Sequence, residues 1–220
     1  MTGVQTCALP ISATSLYRIT LDGDKERLLT DVWLNDIKNG RLIYTDNDET
    51  LYTAEAAAAN IEETKISGSV DQVRMASNGQ YVYFTKNAEG GEATLCVYNV
   101  AKDSVQKIGS CANARIRVST DGTEVYFFKD TETVDGKYVS YGELYRWTYS
   151  EKGAESVKLA SDVLTDSLTS FLESDEIDKN NFTFDRFNGI VTKDGEEKIS
   201  YDLMRFRGGE VEREQSELIR

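Results

Sequence analysis

Asn39-Gly40, Asn78-Gly79 and Asp121-Gly122 place their glycines 39 and 43 residues apart. Asx-Gly pairs favour tight turns because both residue types tolerate positive φ. Each pair is followed by a run rich in β-branched and aromatic residues: "RLIYTDN", "QYVYFTK" and "TEVYFFKD". A second run beginning with leucine comes next, at Leu51 ("LYTAEA"), Leu95 ("LCVYNV") and Leu144 ("LYRWTY"). A third, polar-alternating run ends each unit: "ETKISGS", "SVQKIGS" and "SVKLASD". Self-similarity of this period marks a repeat architecture in which each unit is one small structural element stacked on its neighbours.

The first runs decide how the units must pack. In Val125-Tyr126-Phe127-Phe128 successive side chains point to opposite faces of a sheet, so a run that is apolar throughout needs cover on both faces. A ring of four-stranded sheets supplies that cover, with each blade packed between two others and the outer strand left to alternate. The sequence therefore predicts an all-β chain, a partial, N-terminally truncated β-propeller of four-stranded antiparallel blades. Its expected units are 12–31 (the end of one blade, "SLYRITLDGDKERLLTD"), 32–69, 70–111, 112–162 and an irregular 163–220. Asn188-Gly189 is read as a fourth turn, 67 residues after Gly122, so an insertion interrupts the period. "AEAAAAN" at 54–60 reads as an extended turn with room for a short helix, and the acidic stretch 164–179 as a long loop or a short amphipathic helix. With three complete blades the ring does not close, and the bare apolar face is expected to drive association.

The opening "MTGVQTCALPI" is unlike the rest. It carries no charged residue in a chain that is 29% charged, and it holds the only proline. It lacks the basic region and long apolar core of a secretory signal. It resembles the translation of a common sequencing adapter, so residues 1–11 are expected to be non-native and the natural start to lie upstream of Ser12. Setting Cys7 aside, Cys96 and Cys111 show no C-x-x-C or metal-like spacing. Two such thiols can pair in an oxidising compartment. Isolated buried thiols behave as small hydrophobes, which is the reading favoured here.

Leu16-Tyr17-Arg18-Ile19 followed by Asp22-Gly23, then Leu28-Leu29-Thr30-Asp31, and Ile43-Tyr44-Thr45-Asp46 before Leu51-Tyr52 resemble the repeats of TolB-like and low-density-lipoprotein-receptor-type propellers. The receptor-type motif would place a tryptophan between Tyr44 and Thr45. That residue is absent, and the likeness is to the bacterial propellers of unknown function in this group. It covers about residues 13–163 and implies an extracytoplasmic place, in the cell envelope or secreted.

The chemistry available is narrow. The chain has no histidine, which removes Ser-His-Asp and Cys-His catalysis and histidine-ligated zinc. No G-x-S-x-G, G-x-G-x-x-G or Walker-type loop occurs. Carboxylates gather in "DNDE" (Asp46, Asp48, Glu49), "DTETVDG" (Asp130, Glu132, Asp135) and "DEIDKNN" (Asp175, Glu176, Asp178). None has the regular ligand spacing of a calcium loop. Catalytic residues, metal and cofactor are accordingly all read as none. A net charge of −13 opposes binding to nucleic acid and to anionic membrane surfaces.

The long loop 129–142 carries Tyr138 and Tyr141, and with Trp147 it is the expected partner-binding rim, since tyrosine and tryptophan supply rigid contact area. The expected partner is a protein or carbohydrate, and a membrane anchor is possible only through the missing N-terminus. The expected role is a non-catalytic binding or scaffold module of a bacterial cell-envelope protein. The alternative is the propeller of a larger prolyl-oligopeptidase-type hydrolase, to which the repeats are also similar.

Overall fold

A computed structural model describes residues 15–19, 21–150, 153–169 and 176–219. The adapter-like segment 1–11 with Cys7, the span 170–174 of the acidic stretch and Asp175 lie outside the described residues.

The described chain is built of strands. β1 (Leu16–Ile19) and β2 (Lys25–Leu29) form a two-stranded antiparallel sheet. β3 (Val32–Lys38), β4 (Arg41–Asp46), β5 (Leu51–Glu55) and β6 (Thr64–Ser67) form a four-stranded meander, and β7 (Val70–Met75), β8 (Tyr81–Glu89), β9 (Glu92–Asn99) and β10 (Ser104–Ala112) form the next. β11 (Arg117–Ser119), β12 (Glu124–Thr133), β13 (Ser140–Thr148) and β14 (Val157–Leu164) repeat the pattern. The chain then makes β15 (Glu176–Ile177), which pairs in parallel with β11, and the meander β16 (Asn181–Lys193), β17 (Glu196–Arg207) and β18 (Glu210–Ile219). A single pair, Val163 with Arg186, joins β14 to β16.

The cores lie between sheets, and β4, β8 and β12 each feed two of them. Leu42 and Tyr44 pack with Leu16 and Leu29 of the first sheet, while Ile43 between them packs with Val82 and Phe84. Tyr83 faces the other way, onto Val125, Phe127 and Trp147. Tyr126 and Phe128 in turn meet Phe182, Phe184, Met204 and Phe206. Val125, Tyr126, Phe127 and Phe128 are each at most 1% exposed. At roughly 1.5–3 kcal/mol for each large apolar side chain removed from water, these four alone contribute about 6–12 kcal/mol of burial, which a sheet wetted on one side would largely forfeit.

The Asx-Gly turns are stitched to one another. The Asn39 amide donates to Asn78 O at 2.8 Å, and the Asn78 amide to Asp121 O at 2.6 Å. The closeness limits what can stand at the turns: a Cβ on Gly79 would lie 2.8 Å from Asn39 Nδ2, and one on Gly122 2.4 Å from Ala76 Cβ.

Two expectations are corrected, and one is met. Asn188-Gly189 is not a turn; it is a bulge within β16, where the register shifts between Phe187 and Gly189. The turn of the last unit is Lys179-Asn180 instead, and Lys179 joins the stitch by donating to the Asp121 carboxylate. "AEAAAAN" is the turn its sequence predicts: Ala54 and Glu55 end β5, and a turn and bends follow without a helix. Its carbonyls are taken by Arg18, whose guanidinium donates to Ala56 O at 3.1 Å and Ala58 O at 2.8 Å. Within 164–179, Glu176 and Ile177 form a strand, because Ile177 is fully buried against the neighbouring blade while its flanks stay polar.

Candidate functional site

The β12–β13 loop is held rigid from within and from outside. Val134 N donates to Val139 O at 2.9 Å and Lys137 N to Val134 O at 3.0 Å, and the Val134 side chain is buried. The Lys137 ammonium donates to Glu197 O at 2.9 Å, fixing the tip to the β16–β17 hairpin. On this support the Tyr138 ring is entirely free of the protein, at 107% relative exposure. Tyr141 stands at the base of the loop. Its ring stacks on Phe187 at 4.5 Å, and its hydroxyl donates to Glu132 at 2.6 Å, which pushes the phenol above its usual range.

Trp147 does not belong to this surface. It is 1% exposed, packs edge-on to Tyr83 at 6.4 Å and donates its indole N–H to Ala154 O at 2.9 Å. A strand advances about 3.3 Å per residue, so the six residues from Tyr141 to Trp147 carry the chain some 20 Å from the tip into the core. Of the three residues expected at the rim, only Tyr138 is wholly exposed, and Tyr141 stands beneath it at the base of its loop.

A second polar cluster, which sequence reasoning missed, lies where the first strands of the sheets converge. Lys38 at the end of β3 directs its ammonium to Met75 O at 3.2 Å, Glu176 at 3.3 Å and Asp36 at 3.6 Å. The Ser77 hydroxyl donates to the same Glu176 oxygen. Beside them is a cavity of about 170 Å³ lined in part by Asn35, Arg74 and Val118. No local signal marks Lys38 and Glu176 as partners, since 138 residues separate them.

Other candidate residues serve the fold. Asp46 accepts from the main-chain N–H of Asp48 at 2.9 Å and of Thr50 at 2.8 Å, and Asp178 from that of Asn180 at 3.0 Å. These are Asx turns. Asp130 lines a cleft of about 250 Å³ with Gly90, Gly91, Ser110, Cys111 and Lys129. Among the described residues no group of three or more Cys, Asp or Glu side chains is placed to hold a metal ion. Cys96 and Cys111 are both buried and unpaired. They belong to cores on opposite faces of one sheet, Cys96 with Phe84 and Cys111 with Tyr83, so a disulfide between them would require the sheet to be rebuilt.

Successive sheets sharing cores about a common line of inner strands define a β-propeller. Two solved structures, the first two of those below, bear this out. The β-propeller domain of the Trilobed protease from Pyrococcus furiosus aligns at a TM-score of 0.56 with 13% identity, over 85% of this chain and 58% of that one. The tricorn protease aligns at 0.53 with 10% identity, over 93% of this chain and 26% of that one. TolB from Acinetobacter baumannii aligns at 0.45 with 13% identity, over 96% of this chain and 51% of that one. The chain thus spans less than two thirds of each, and at these identities the likeness is one of fold. The sequence matches no family model and no curated protein.

Proposed function

We propose that the chain is a non-catalytic propeller module of the TolB-like group, which binds a protein or carbohydrate partner in the bacterial cell envelope through the rim that carries Tyr138. The observation that carries this reading is a wholly exposed aromatic ring on a loop pinned at Val134 and Lys137. On a loop whose backbone is fixed, a tyrosine ring has only two torsions to order on binding and gains contact area when a partner covers it. The fold itself serves many unrelated roles and supplies no function by analogy.

The test is photo-crosslinking in cells that express the gene with its native flanking sequence. A benzophenone amino acid at position 138 is expected to capture a discrete envelope partner, protein or glycan, while the same group at exposed Val105 does not. Equal capture at both positions, or none at 138, overturns the reading. Labelling of the full-length gene product by a fluorophosphonate would assign it instead to a serine peptidase.

A further inference from the structure

The Lys38–Glu176 contact joins the inner strand of the first complete blade to the inner strand of the last, and does so across the converging ends of the sheets. An ammonium group has three donor hydrogens. Lys38 donates to two acceptors, Met75 O from β7 and Glu176 from β15, and makes a longer ion pair with Asp36 on its own strand β3. Glu176 is held a second time, by Ser77 just beyond β7. The three side chains are each at least two thirds shielded from water, at 26% exposure for Lys38, 32% for Asp36 and 14% for Glu176. An ion pair so placed is less screened than one at the open surface.

Among the described residues, the backbone bonds of the strand that Glu176 secures are few. β15 is two residues long, and it is attached to β11 by the pairs Val118 with Glu176 and Ser119 with Ile177, with Thr120 N donating to Ile177 O at 3.0 Å beyond them. β11 is itself only three residues long. Its pairing to β12 runs through Arg117 and Val118, leaving the opposite edge to β15. Ile177 adds one buried side chain. Short edge strands with few ladder bonds open at a lower free energy than the sheet behind them.

We propose that Lys38, Ser77 and Glu176 form an axial pin that keeps β15 docked on β11, and that β15 is a detachable inner strand whose docked and undocked positions this pin decides. Undocking bares the inner edge of β11 and the cavity beside Lys38 and withdraws Ile177 from one edge of the core, while the other apolar contacts of β16 and β17 with β12 and β13 stay closed. The pin thus acts on the axial end of the last blade and not on the blade as a whole.

Hydrogen exchange on the complete chain, followed by mass spectrometry, tests this. In Lys38→Met and in Glu176→Gln, peptides covering 118–123 and 176–181 are expected to exchange about tenfold faster than in the parent chain, with peptides from β8 and β9 unchanged. The double variant is expected to exchange no faster than the quicker single one, because both changes break one contact. Ser77→Ala keeps the ion pair and is expected to give a smaller increase in the same peptides, and it carries the test if Lys38→Met does not fold. Unchanged exchange at 176–181 in Glu176→Gln would overturn the proposal, and so would an equal increase across all sheets, which would make the contact a source of general stability.

Discussion

Asn39 and Asn78 hold the same place in successive turns, and the amide of the first donates to the main-chain carbonyl of the second at 2.8 Å, 39 residues along the chain. The next step spans 43 residues, from the Asn78 amide to Asp121 O. The sequence period is therefore also the span of a hydrogen bond. Asparagine suits the role because it stabilises its own turn and still has an N–H to give: Asn78 Oδ1 accepts from Gln80 N at 2.9 Å while its Nδ2 reaches the next turn. Asp121 has no such N–H, and there the direction reverses, with Lys179 donating back to it.

The tight approach of these turns distinguishes two glycines that look alike in sequence. Gly40 has φ +76° and open space where a Cβ would stand, whereas Gly122 has φ +72° and Ala76 Cβ at 2.4 Å. Gly40→Ala is expected to cost about 1–2 kcal/mol, the cost of the left-handed conformation alone. Gly122→Ala adds the overlap and is expected to reach about 3 kcal/mol. Adding Ala76→Gly to Gly122→Ala should return the difference, as read from urea unfolding midpoints.

Trp147 and Tyr138 should separate cleanly. Trp147→Ala empties a buried site between two sheets and is expected to cost about 3–5 kcal/mol. Tyr138→Ala removes a ring that touches nothing and is expected to change stability by no more than about 0.5 kcal/mol. Thermal melts of the two variants measure this. A large loss for Tyr138→Ala would show that the loop needs the ring for its own order.

The Asp121 carboxyl gives a pH dependence of definite sign. Burial would raise it, but donors from Lys179, Ser119 and Thr123 outweigh burial and hold it well below its ordinary value of 3.8. A carboxyl lowered by folding adds stability above its unfolded pKa, and that stability fades as pH falls through the folded value. Unfolding midpoints are therefore expected to drop as pH is lowered from about 5 through about 3, with a shallower drop in Asp121→Asn. Parallel curves for the two proteins would assign the acid loss to other carboxylates.

The two buried thiols should be inert in the native state. Burial pushes Cys111 up to about 11 and raises Cys96 as well. The thiolate is the reactive form, so neither should react with a disulfide reagent at neutral pH until the chain unfolds. Air oxidation should leave them unlinked, since they sit on opposite faces. Rapid labelling of either in the folded protein would overturn this.

How much of this was legible in the sequence follows from how local each cause is. The greasy run Val125 to Phe128 announces its own double burial, because alternation is a property of neighbouring residues. Asn-Gly is more ambiguous. The pair at 39–40 makes a turn and the pair at 188–189 a bulge, for positive φ at the glycine serves both. Trp147 was grouped with Tyr141 by nearness in sequence, though a strand carries such residues far apart. Glu176 and Lys38 meet across 138 residues, with the meanders β7–β10 and β11–β14 between them in the chain, a relation that no window of sequence contains.

Each unit's first turn is joined to the next unit's first turn, and this joining stands at one end of the strands. The hairpins at Gly90-Gly91 and at Tyr138 stand at the other end, where Lys137 ties one hairpin to the next unit through Glu197 O but no donor runs from turn to turn among the described residues. Mutation can therefore lengthen, shorten or rewrite these free ends with little consequence for how the units seat on one another. One side of the molecule thus carries the bonds that seat the units on one another, and the opposite side carries the Tyr138 loop.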